Sequence, residues 1–210
     1  MDVSAYQQIE KLARATSTAQ IAVWQDGQVR LDIEFDATLV DVFGVQKGLV
    51  SLLLGIAEEK FLLDIPDCVN HHLPPGWTQL SPWDEAKLTI EILLNMVTGM
   101  DDELAAQGVI GETWRYNNTT YNYLKKILEI HTQKSLQEVT GDWLLEPLGM
   151  AKTYWEPRSQ LLPDSTHVRG LISTASDLLR LGELILNNSN DLSPSSYLNS
   201  LNEPGCAQVQ

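Results

Sequence analysis

Residues 42–74 read VFGVQKGLVSLLLGIAEEKFLLDIPDCVNHHLP, and the run from Leu49 to Ala57 inside them is apolar almost all round. A surface helix carries an apolar stripe and a polar face, so a helix apolar on every side belongs in a core. Lys47 stands in its first turn, where the helix dipole prefers anions to cations. A solvated lysine at a helix end is one reading. The other is the lysine of an S-x-x-K motif, in which residues i and i+3 share a helix face and the ammonium serves a neighbouring serine.

Working outward, residues 3–15 space Tyr6, Ile9, Leu12 and Ala15 about one turn apart, which predicts an amphipathic helix. IAVWQ and QVRLDIEF flank Asp26-Gly27, and Val29, Leu31, Ile33 and Phe35 alternate with polar residues. That pattern predicts a hairpin. Residues 64–84 are proline-rich and read as irregular connection. Leu88–Met96, Thr119–Ile130 and Leu136–Leu145 read as helices, the last ending at Glu146-Pro147. Ser173 is placed as the cap of a helix through Asp177–Leu186, and a loosely ordered polar tail follows. One hairpin and five or six helices make an α+β fold.

The chain has 210 residues, with 14 Lys+Arg against 28 Asp+Glu and a net charge of −14. Nucleic acid and anionic membrane surfaces are disfavoured partners, since both are bound through cations. No apolar run approaches the ~20 residues of a spanning helix. The N-terminus lacks the pattern of a signal peptide, so the expected location is cytoplasmic, or periplasmic if a leader was removed. Two cysteines are too few for a disulfide framework. The sequence holds no G-x-S-x-G, H-E-x-x-H, paired C-x-x-C or phosphate-binding glycine loop. Cys68, His71 and His72 have passable ligand spacing but lack a fourth partner, so no metal and no cofactor are expected.

In VFGVQKGLVSLLLGIAEEKFLLDIPDCVNHHLP, LTIEILLNMVTGM, ETWRYNNTTYNYLKKILE, WLLEPLGMAKTYW and GLISTASDLLRLGELIL, the chain resembles the serine β-lactamase and penicillin-binding-protein-like superfamily, particularly its class C-like and esterase-like branch. The five blocks cover about residues 18–190 in the family's order. The resemblance makes Lys47 the motif lysine, Tyr116 the tyrosine of Y-x-N and Asn118 its asparagine. It implies that the tyrosine accepts the proton of the serine. A phenol of pKa near ~10 does so where cations stabilise its phenolate. Lys47 and Tyr116 are therefore expected within hydrogen-bonding reach, directly or through one water. Y-x-N also occurs at Tyr197-Leu198-Asn199, without supporting context.

Two departures stand out. The nucleophile position is Gly44, and no Ser, Thr or Cys lies three residues before any lysine. The family's third motif, K-T-G or H-x-G on a central strand, is absent from the 33 residues after Asp177. The expectation is a β-lactamase/transpeptidase-like α+β fold with an incomplete sheet. Residues 1–40 would form the N-terminal helix and hairpin of the sheet domain, 41–170 the helical subdomain, and 171–210 a helix and polar tail. The implied activity is acyl-serine hydrolysis of a small ester, amide or β-lactam, lost in this form. Gly44 reads either as a natural loss or as a change made to hold substrate uncleaved. Met96, where many relatives have a histidine, points to the esterase and nylon-oligomer hydrolase branch. The rival reading is a non-catalytic interaction module. A lone hairpin needs a cover, so self-association is expected.

Overall fold

The structure, a computed structural model, describes residues 3–187. Helix α1 (Val3–Ala15) leads into the antiparallel hairpin of β1 (Gln20–Gln25) and β2 (Gln28–Glu34). Asp26 and Gly27 both have positive φ, 52° and 75°. Two left-handed residues give the turn a twist that matches the strands, and Asp-Gly supplies them cheaply. The alternation holds from Leu31 to Phe35, where Leu31 is buried and Asp32 and Glu34 are exposed, but it fails at Val29, which is exposed. The hairpin's cover is α8 (Ala175–Asn187), which packs against β1. The Ala175 amide donates to Gln20 Oε1 at 2.9 Å, and the Ser176 hydroxyl donates to the Asp32 carboxylate. Thr174, not Ser173, caps α8: its hydroxyl accepts from the Asp177 amide.

A short β3 (Val40–Asp41) and a tight turn, Phe43–Val45, lead into α2 (Gln46–Glu59). As its all-round apolarity requires, α2 is the centre of the core. Leu49, Val50, Leu53 and Leu54 are fully buried, together with Ile90 and Leu93 of α4 (Ile90–Leu94) and Leu124, Ile127 and Leu128 of α5 (Asn118–Thr132). Burying each such side chain contributes about 1.5–3 kcal/mol. The proline-rich segment before α4 holds a single 3-10 turn, Val69–His71, and a short helix, α3 (Pro82–Glu85). Its Glu85 is buried and accepts from the Gly76 amide and from the amide and hydroxyl of Thr78. That carboxylate organises a stretch that the sequence reads as mere connection.

The helix expected over Leu136–Leu145 does not stop at Glu146-Pro147. A capping box of Ser135 and Glu138 starts α6 (Leu136–Thr140), a wide turn spans Gly141–Leu145, and α7 (Glu146–Leu148) follows. Pro147 lies in the first turn of α7, where its missing N–H costs nothing. Gly149, at φ 66°, ends the run.

A second hairpin, β4 (Tyr154–Leu161) and β5 (His167–Ser173), adds to the single one read from sequence. It joins β3 in an antiparallel sheet of order β3-β5-β4. Ser173, expected as a helix cap, is the last residue of β5 and pairs with Val40. Pro157 and Arg158 break the apolar alternation of β4, which hides it from a periodicity search. Arg158 instead grips Asp41 of β3 with two parallel hydrogen bonds, 2.7 and 2.6 Å. Gly170 allows that grip, because a Cβ there would fall 2.5 Å from Asp41 Oδ2.

Mixed helices and small antiparallel sheets give the α+β class expected. Tyr197-Leu198-Asn199, Cys206 and the polar tail from residue 188 lie outside the described residues.

Candidate functional site

The site is assembled where the turn before α2 meets the start of α5. Phe43 adopts a left-handed φ of 45°, and its amide donates to Asp41 Oδ1 at 2.9 Å. Burial opposes ionisation of Asp41, but Arg158 and that amide outweigh it and hold the carboxyl below its usual range. Thus the Asp41–Arg158 pair fixes the bend that presents Gly44. A Cβ built on Gly44 would lie 3.3 Å from the Tyr116 hydroxyl.

One turn further along α2, the Lys47 ammonium donates to Asn118 Oδ1 at 2.6 Å. It also lies 4.8 Å over the ring of Tyr116 and 5.0 Å over that of Tyr121. Gly44, Lys47, Tyr116 and Asn118 therefore come together. The hydrogen bond expected between the Lys47 ammonium and the Tyr116 hydroxyl is replaced by a different arrangement: the ammonium faces the Tyr116 ring and donates to Asn118. Tyr121 in turn donates its hydroxyl to the Lys47 carbonyl at 2.8 Å. Phe43, Trp114 and Tyr116 are all largely exposed, so the site opens to solvent.

Asn117, between the two motif residues, is the pin. It is wholly buried; its amide nitrogen donates to the carbonyls of Met100 and Asp101, and its side-chain oxygen caps α5 at the Thr120 amide. Met96 reaches the site only through its backbone, its carbonyl accepting from the Arg115 amide. Behind Lys47 sits a second lysine that the motif reading passes over. The Lys125 ammonium, 5% exposed, donates to Gln46 Oε1, Asn122 Oδ1 and the Arg169 carbonyl. Burial, reinforced by Arg158, Lys47 and Arg169, pushes its pKa down to about 7. Its phase on α5 is the only sequence signal: a charge seven residues after Asn118, on the apolar face.

Cys68, His71 and His72 do not converge. The Cys68 thiol donates to the Ala86 carbonyl, while His72 Nδ1 lies 2.6 Å from His131 Nε2. Among the described residues, no group of three His, Cys, Asp or Glu side chains could hold a metal. No helix there is long and apolar enough to cross a membrane.

A lysine, a tyrosine and an asparagine gathered at the start of a buried helix, beside a small antiparallel sheet, are what the fold places together. The chain belongs to the Beta-lactamase family, whose model matches residues 6–203. Solved structures share the fold. A penicillin-binding protein homologue from Pyrococcus abyssi, described as octameric, matches with a TM-score of 0.74 at 18% identity, over 95% of this chain and 59% of its own. A D-stereospecific amidohydrolase from Streptomyces matches with a TM-score of 0.76 at 18% identity, over 96% and 77%. EstCE1, a hydrolase with promiscuous acyltransferase activity, matches with a TM-score of 0.70 at 15% identity, over 91% and 74%. The chain thus spans less than two thirds of the Pyrococcus protein. No curated protein sequence matches it significantly.

Proposed function

We propose that this chain carries the acyl-transfer site of a serine β-lactamase-type hydrolase with glycine in place of the nucleophile, so that it binds esters, amides or β-lactams without forming an acyl-enzyme. The observation that carries this is the 3.3 Å between a Cβ on Gly44 and the Tyr116 hydroxyl. A serine oxygen there would reach Tyr116 as its base, with Lys47 and Asn118 supplying charge and orientation. Residues 41–170 carry the site, with the first hairpin before them in the chain and α8 after them. The pocket's partner is a small ester, amide or β-lactam. Self-association is a further part of the reading, supported by the octameric description of the Pyrococcus homologue.

The test is covalent labelling. Loss of the serine nucleophile costs on the order of 10⁶ in kcat, so the chain as it stands should take no adduct from a fluorophosphonate or a β-lactam. Gly44→Ser should be labelled slowly at position 44, as read by mass spectrometry. A folded Gly44→Ser chain that stays unlabelled sinks the proposal. So does ester hydrolysis by the unsubstituted chain that falls with Lys47→Ala or Tyr116→Phe. In that case water attacks directly and the site is catalytic without a serine.

A further inference from the structure

A cleft of about 500 Å³ lies between α5, the start of α6 and the β4–β5 hairpin. None of Gly44, Lys47, Tyr116 and Asn118 lines it, so it is separate from the site above. Its walls include Leu136, Trp155, Pro157 and Leu162, and Lys125 stands among them. The Lys125 ammonium faces the Trp155 ring at 4.7 Å. Its three hydrogen-bond acceptors are two side-chain amides and a backbone carbonyl, none of them charged. A buried ammonium is ordinarily offset by a carboxylate, and here the direct partners include none. A lysine kept only to fill space beside Trp155 would be better replaced by methionine, which carries no charge to desolvate. The other cations of the cleft are already engaged: Arg169 with Glu129 at 2.9 Å, and Lys126 with Asp164. A ligand carboxylate entering the cleft would therefore compete with Glu129 and Asp164 for these cations.

We infer that Lys125 is a reactive amine which captures a small apolar aldehyde in this cleft as a Schiff base. The lone pair of the neutral amine attacks the carbonyl carbon, the two hydrogens of the nitrogen pass to the carbonyl oxygen, the C–O bond breaks to release water, and a C=N bond joins Lys125 to the ligand. The amine gives up one of its three hydrogen bonds as its lone pair turns to the cleft. The apolar walls receive the body of the aldehyde. A pKa of about 7 leaves a large share of the amine neutral at pH 7.5, against roughly 0.1% for an ordinary lysine near ~10.4. Desolvation is a recognised route to a nucleophilic lysine.

The experiment uses the unsubstituted chain with benzaldehyde and cyanoborohydride, which adds hydride to the imine carbon and fixes the adduct as a secondary amine. Peptide mapping then reads the yield at each lysine. At pH 7.5 the Lys125 adduct should exceed those at exposed lysines such as Lys87 and Lys134 by at least about tenfold, given the difference in neutral fraction. Its rate should level off above pH ~8, while the exposed lysines continue to rise towards pH ~10. Pyruvate, with its carboxylate, should label Lys125 less than benzaldehyde does. Equal labelling across lysines, or a Lys125 rate that parallels the exposed ones, overturns the proposal. Stronger labelling by pyruvate overturns the aldehyde class. Lys125→Met should lose the adduct at that peptide alone, and because the mapping is done on the unsubstituted chain, the test stands even if that variant folds poorly.

Discussion

The Lys47 ammonium and the Asn118 side-chain oxygen are 71 residues apart in the chain and 2.6 Å apart in the fold. That single bond ties the first turn of α2 to the first turn of α5, and it places a cation over the Tyr116 ring. A hydrogen bond to a charged group contributes about 1.5–3 kcal/mol. In a Gly44→Ser background, Asn118→Ala should therefore slow fluorophosphonate labelling by roughly 10- to 150-fold. Labelling rates equal within twofold would remove Asn118 from the site.

Gly170→Ala should destabilise the chain by about 1–3 kcal/mol, the usual cost of forcing atoms into a packed position. The added methyl would strike Asp41 and Arg158 at 2.5 and 2.6 Å, and both are locked by their paired hydrogen bonds. Urea unfolding measures the loss. An unchanged midpoint would mean that the Asp41–Arg158 grip yields freely and does not hold the bend before Gly44.

Acid should weaken the link between residues 67–73 and the end of α5. His72 Nδ1 and His131 Nε2 lie 2.6 Å apart with room for one proton between them, and full protonation of the pair would set two cations against each other. Burial first, then His131 and His71, hold the His72 pKa below its ordinary value, with Asp67 opposing. The folded state thus takes up this proton less readily than the unfolded chain. Its contribution is complete above pH ~6.5 and is lost as pH falls below that value. The urea midpoint should drop between pH 7.5 and 5, and by less in His131→Gln, which keeps a hydrogen-bonding group but does not titrate. Equal drops in the two proteins would count against the shared proton.

Glu85→Gln should cost about 1–3 kcal/mol, because its NH₂ would face donors that the second carboxylate oxygen now satisfies. Gly76 and Thr78 supply those donors. Urea unfolding again decides, and an unaltered stability would show that water replaces the carboxylate.

Helix α2, helix α1 and the first hairpin were legible because each carries a strong local signal: an apolar run, a one-turn spacing, an Asp-Gly between alternating strands. Lys47, Tyr116 and Asn118 were legible only through family resemblance. Nothing local in Y-N-N says that the outer two residues face a lysine 69 and 71 positions away while Asn117 turns inward. Hairpin β4–β5 escaped because Pro157 and Arg158 spoil its alternation and its pairing with β3 is long-range. Lys125, Gln46 and Glu85 escaped for a related reason. A polar side chain becomes a core residue only when partners from other elements arrive, and those partners are set by the tertiary fold.

The first hairpin is held in place by α8 and not by a backbone ladder to the β3-β5-β4 sheet. Two sheets that share no backbone ladder can open independently of each other. In native-state hydrogen exchange, the amides of β1 and β2 should therefore share a single opening free energy with those of α8, below that of the α2–α5 core. The Ser176–Asp32 bond makes the coupling adjustable. Ser176→Ala should speed exchange across the whole hairpin while leaving β4 and β5 untouched, so that one hydroxyl on a helix sets how often a strand pair two elements from the site comes loose.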